Sequence, residues 1–284
     1  MHRRLWALVA ALWMVAVVPA TALAANPVVT LGKDLTPAER QEMLRYFGVR
    51  GRTMRLYIIS NAQEHQLLGG VAPAEEIGTR AISCAYVVPE RHGAGIRVTT
   101  HDITWVTPAM YANALATAGV ADAAVSVAAP YPVSGTAALA GILWAYQAST
   151  GVSLSPARKT AAAQELVATA DLARRTGRPD AAATLVRVVK QEVLSGRATS
   201  PEAIRAAVIR TAASLHLSLT AGEVDDLVTF LLRLRGLGIS AATVHQQLAR
   251  LGSESGQAAG FWAWLVGLWH WIWGLVTGRL SAVG

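Results

Sequence analysis

Cysteine is all but missing from this chain: Cys84 is the only one. No internal disulfide can form, so the fold is held by packing alone. Charge is sparse too, at 15% of residues against 53% apolar. Such a balance argues against a disordered chain and for a sizeable buried core. Other absences exclude chemistry. No Walker loop or dinucleotide fingerprint is present, and the glycines Gly93 and Gly95 belong to a turn. The histidines His65, His92, His101, His216 and His245 are isolated, with no partner at helical ligand spacing and no cysteine beside them. No metal and no cofactor is therefore expected, the one residual pairing being His92 with His101 across a turn. Cys84 itself falls in the alternating run Ile82, Cys84, Tyr86, Val88, where a small buried side chain on a strand is the expected role.

The formal net charge is +7, and Arg3 and Arg4 contribute two of those charges. The remaining arginines are scattered over helical stretches and form no stripe. A nucleic-acid partner is not expected; anionic lipid headgroups or wall polymers fit a basic exported chain better.

Export is expected from the first 25 residues. Arg3 and Arg4 precede an apolar run from Leu5 to Val18, then Pro19 and the small residues Ala20 to Ala25. Basic, apolar and small-residue regions in that order make a signal peptide, cleaved after Ala24 or Ala25. At the other end, residues 253–260 read as a polar linker. The segment 261–278 then carries Trp262, Trp264, Trp269, Trp271 and Trp273, five of the nine tryptophans. Its hydrophobicity runs all round a helix, which leaves no polar face for water and predicts a membrane-associated helix in contact with lipid. Arg279 just beyond it places the tail on the cytoplasmic side and the head outside.

Between these ends the chain changes style once. Residues 26–150 alternate short β-branched runs with capped helices. Thr36, Pro37 and Glu39 open one helix, Asn61 with Glu64 a second, Thr107 with Pro108 a third, and Ser134, Gly135 and Thr136 a fourth. The runs Ala81 to Val88 and Ile96 to Trp105 are predicted to pair as a hairpin across residues 89–95. Residues 151–252 are alanine-rich helices opened by Ser155, Pro179, Ser200, Thr220 and Ser240. The expected fold is α+β: a mixed sheet with packed helices, an alanine-rich helical bundle, and a C-terminal hydrophobic helix.

Four stretches carry a family resemblance: VVTLGKDLTPAERQEML (28–44), IGTRAISCAYV (77–87), THDITWVTPAMYANALATAGV (100–120) and VAAPYPVSGTAALAGI (127–142). In this order they resemble the bacterial secreted domain-of-unknown-function family 1002. The resemblance implies an exported envelope protein and brings no catalytic residues with it. The tryptophan-rich tail lies outside the shared core, so anchoring stands on this chain's own residues.

Candidate anion or ligand contacts are Ser60, Asn61, Thr107, Ser134, Gly135 and Thr136, each set at the junction from a strand into a helix N-terminus. Helix capping explains the same residues in structural terms. A hydrolase or transferase site at Ser134 with His101 is the alternative. It lacks a nucleophile elbow, and His101 and Asp102, as neighbours on a strand, should point to opposite faces. The leading expectation is a membrane-tethered envelope module that binds an envelope component, an anionic wall polymer or a protein partner.

Overall fold

The computed structural model describes residues 26–251 apart from positions 52, 73 and 250. The expected signal peptide and the tryptophan-rich segment 261–278 lie outside the described residues. Among those that are described, no helix is long and apolar enough to cross a membrane.

The β-branched runs form strands β1 (Val28–Gly32), β2 (Arg55–Ile59), β3 (Cys84–Pro89), β4 (Ile96–Ile103) and β5 (Ala123–Val133). They make one sheet in the order β2-β1-β3-β5-β4. β1 pairs parallel with β2, and β4 with β5, while β3 runs antiparallel to both of its neighbours. The sheet is mixed and the fold is α+β, as expected.

The β3–β4 hairpin does not form. β5 lies between the two strands, pairing Cys84 with Ala128 on one side and Ile96 with Ala123 on the other. Burial explains the order. β5 opens with apolar and small residues, its Ala123, Val127, Ala128 and Ala129 fully buried, whereas β4 exposes Thr99 and His101. The apolar strand takes the interior and the polar one the edge.

Helix α1 (Pro37–Tyr46) starts at the expected capping box of Thr36 and Glu39 and covers one sheet face. Its Met43, with Phe47 just beyond, packs on Val29, Leu31 and Cys84. Burial pushes the Cys84 thiol up to about 12, so it stays protonated and unreactive. The other face is covered by α4 (Pro108–Ala118) and α5 (Ala138–Thr150), with α2 (Asn61–Leu68) and the short α3 (Ala74–Ile77) beside them.

The helical half comprises α6 (Pro156–Thr176), α7 (Pro179–Leu194), α8 (Pro201–Ser214), α9 (Ala221–Arg235) and α10 (Ala241–Leu248). α6 and α7 pack directly on α4, so Leu166 and Val189 join Met110 and Leu115 in one continuous core. Alanines make this close approach possible: Ala112, Ala114, Ala162, Ala163 and Ala170 are all fully buried.

One buried ion pair crosses that junction. Lys190 Nζ on α7 lies 2.6 Å from Glu165 Oε1 on α6, with both side chains at 0% exposure. Lys190 also donates to the Asn113 carbonyl at 2.9 Å and to Thr117 Oγ1 at 3.0 Å, both on α4. Thr117 in turn donates to Glu165. Burial pushes the Glu165 carboxyl up and the Lys190 amine down, while their mutual attraction opposes both.

Candidate functional site

Because β3 alone is reversed, the carboxyl ends of β1, β2, β4 and β5 emerge at the same end of the sheet. Every hydroxyl or amide candidate except Thr107 follows one of these ends directly. The sequence located this rim correctly; what the side chains do there is largely structural.

Ser60 is the N-cap of α2, accepting from Gln63 N while the Gln63 side chain returns to Ser60 N at 2.9 Å. The cap is thus Ser60 with Gln63, one residue earlier than the Asn61 and Glu64 expected. Asn61 donates through Nδ2 to Glu64 Oε2 at 3.3 Å and to the Gly78 carbonyl at 3.1 Å, which ties α2 to the loop after α3. Glu64 is 1% exposed. Burial, opposed by the Asn61 hydrogen bond and reinforced by nearby Asp34, raises its carboxyl to about 7. Thr107 caps α4 at Met110 N, as expected.

Ser134, Gly135 and Thr136 precede α5 and do not cap it: the N-cap is Ala137, which has no side-chain cap bond. Ser134 Oγ lies 3.2 Å from Thr136 Oγ1, and Thr136 is fully buried. Gly135 sits at φ 90°, and its carbonyl accepts from the buried Tyr111 hydroxyl. A Cβ there would penetrate Ile103 Cγ2 and lie 2.7 Å from the Tyr111 hydroxyl. Gly135→Ala is therefore expected to cost about 2 kcal/mol, from positive φ and overpacking together, read as a lower urea midpoint with an unchanged slope. Two shallow clefts flank Ser134. One of about 540 Å³ is walled by Trp105 and Arg174, and one of about 270 Å³ by Arg80 and Ile82. Arg174 lies over the Trp105 ring at 5.5 Å and bonds Asp171 at 2.8 Å, so its charge is already engaged.

His101 and Asp102 do meet, contrary to the opposite-face expectation. His101 Nε2 is 3.3 Å from Asp102 Oδ2 because the strand is irregular at this point and Asp102 takes φ 54°, which breaks the alternation of side chains. A face of the imidazole stacks on Tyr46, centroids 4.6 Å apart. His92 instead faces Asp122 at 3.3 Å, and the insertion of β5 removes the hairpin that would have brought it to His101. Among the described residues no group of three or more His, Cys, Asp or Glu side chains is placed to hold a metal ion.

A further concavity lies between α2, α5 and the first turn of α6. It holds about 380 Å³, within the small-molecule range. Trp144 forms a wall, 37% exposed, with Tyr57 tilted against it at a centroid distance of 4.1 Å. Gln63, Gln66, Gln147, Lys159 and Thr160 line the rest with polar groups, and no carboxylate is among the lining residues. Sequence reasoning passed over this cleft, yet α5 held a signal. Leu139, Ile142, Leu143 and Tyr146 make its buried stripe, and Trp144 is the large aromatic left off that stripe.

A family model described as "Protein of unknown function (DUF1002)" matches residues 31–251. This chain belongs to that family. A relative, the "Uncharacterized protein YpuA" of Bacillus subtilis (strain 168), is 34% identical over 251 residues, spanning 87% of this chain and 86% of the relative. The match runs through the sheet, the helical half and the α2–α5–α6 cleft alike, so these parts are the family's common body. No solved structure matches the chain.

Proposed function

We propose that this protein is an exported, membrane-tethered component of the bacterial cell envelope that binds an envelope component or a protein partner. Export is supported by the basic, apolar and Ala-rich order of residues 1–25, and tethering by the tryptophans between Phe261 and Gly278. The observation that carries the binding role is the α2–α5–α6 cleft, where a fixed aromatic wall faces amides and an ammonium. Hydrolase or transferase chemistry at Ser134 and His101 has less behind it. The histidine ring is taken up by Tyr46 and Asp102, and the serine hydroxyl meets Thr136.

Membrane fractionation tests the tether. The full-length protein is expected to stay with the membrane pellet through an alkaline wash and to dissolve only in detergent. Protease added to intact spheroplasts should remove the head. Release of the full-length mature protein into the medium without detergent would contradict the tether. Co-sedimentation of the detergent-solubilised protein with purified cell walls tests the binding role separately.

A further inference from the structure

We infer that the α2–α5–α6 cleft is a saccharide site, selective for a sugar that carries a carboxylate. The inference rests on the binding role proposed for that same cleft and names its ligand class.

Shape comes first. Trp144 lines the cleft, and Tyr57, tilted 59° against it at a centroid distance of 4.1 Å, holds the indole in place. A flat, half-exposed aromatic held in this way suits the C–H face of a pyranose ring, whose weakly positive hydrogens meet the negative π face. The volume, about 380 Å³, suits one or two sugar rings.

Donor balance comes second. Gln63 commits its Oε1 to Ser60, at 2.9 Å from N and 3.0 Å from Oγ. Gln147 commits its Oε1 to Leu154 N at 2.9 Å. Both amides are thereby oriented, and their NH₂ groups remain as donors. Gln66 adds a further amide. Lys159 adds an ammonium with no ion-pair partner among the described residues. With no carboxylate in the lining, the cleft offers an excess of donors and one positive charge. Its complement is a ligand rich in oxygen acceptors and negatively charged. The lining has no arginine, so the guanidinium fork that grips a phosphate by two parallel bonds is missing. A simple anion would leave the indole without a role. A carboxylated sugar uses both features.

The test measures binding of the full-length, detergent-solubilised protein to two probes by calorimetry. One probe is the disaccharide of N-acetylglucosamine and N-acetylmuramic acid, which bears a lactyl carboxylate; the other is neutral di-N-acetylchitobiose. The acidic disaccharide is expected to bind at least tenfold more tightly. Trp144→Ala should weaken both probes by tenfold or more, and Trp144→Phe should keep most of the affinity. Lys159→Gln should abolish the acidic preference, bringing the affinity for the acidic disaccharide down to that for chitobiose. The Lys159 side chain stands in the first turn of α6 without an ion-pair partner among the described residues, so this variant is expected to melt like the parent and keeps the test valid if Trp144→Ala fails to fold. Equal binding of the two probes overturns the carboxylate preference. Absence of binding by either, or full binding by a folded Trp144→Ala protein, overturns the saccharide site. Should walls co-sediment with the protein while neither disaccharide binds, the binding role stands and this ligand assignment falls.

Discussion

Lys190→Met is expected to lower the stability of this protein by about 3–5 kcal/mol, the range for removing one member of a buried ion pair. The methionine fills much the same volume, so the loss is electrostatic. Glu165, at 0% exposure, is left without its cation at 2.6 Å, and the Asn113 carbonyl and Thr117 hydroxyl each lose a donor. Glu165 must then either stay charged in an apolar core or take up a proton, and both are costly. The double variant Lys190→Met with Glu165→Leu removes both charges, and is expected to recover at least half of the loss. Urea denaturation of the parent, both single variants and the double variant gives the coupling directly. If the single variant loses less than about 1 kcal/mol, solvent reaches the pair and the junction of α4, α6 and α7 is looser than the packing shows. A charge pair that must meet in one place also constrains the register of α4, α6 and α7, whose facing surfaces are rich in alanine.

A second large effect comes from pH. The Glu64 carboxyl is raised to about 7 in the folded protein, against an ordinary value of 4.5. The protonated acid is the form the fold favours. Its contribution is fully present below about pH 4.5 and is lost as pH rises through about 7, for a total of roughly 3 kcal/mol. Glu64→Gln keeps the shape and can still meet Asn61, and it removes the titration. The stability difference between Glu64→Gln and the parent should therefore widen in favour of the glutamine as pH goes from 4.5 to 8. Taking that difference cancels the groups that act the opposite way, such as Asp122, whose carboxylate is held low by backbone donation from Gly95 and a bond from Gln247. A flat difference across this range would mean that Glu64 reaches water. The place matters as well as the size, since Asn61 links this carboxyl to Gly78 on the rim at the carboxyl end of the sheet.

Legibility differed by scale. Caps with local chemistry could be read from neighbouring letters: Thr36 with Glu39 and Thr107 with Pro108 form as expected, and Thr220 opens its helix as expected. These bonds span three residues, so no tertiary information is needed. The cap falls one position before Asn61 because Ser60 and Asn61 are both good caps; Ser60 takes the cap with Gln63, and Asn61 turns to Glu64 and Gly78. The carboxyl-end rim was legible because β-to-α junctions mark it. The α2–α5–α6 cleft was not, since Gln63 on α2 lies far along the chain from Trp144 on α5 and Lys159 on α6.

The sequence alone determined the α+β class, the family, the caps at Thr36 and Thr107, and the placement of Cys84 on a buried strand. Each depends on composition, periodicity or contacts within a few residues. Tertiary structure decided the strand order, because the choice of β5 over β4 for the sheet interior is a competition for burial that no single strand can settle. It also decided the His101–Asp102 contact through an irregular strand, the Lys190–Glu165 pair across two helices, and the isolation of Trp144 on a cleft wall. These depend on which surfaces meet, and that is fixed only when the whole core closes.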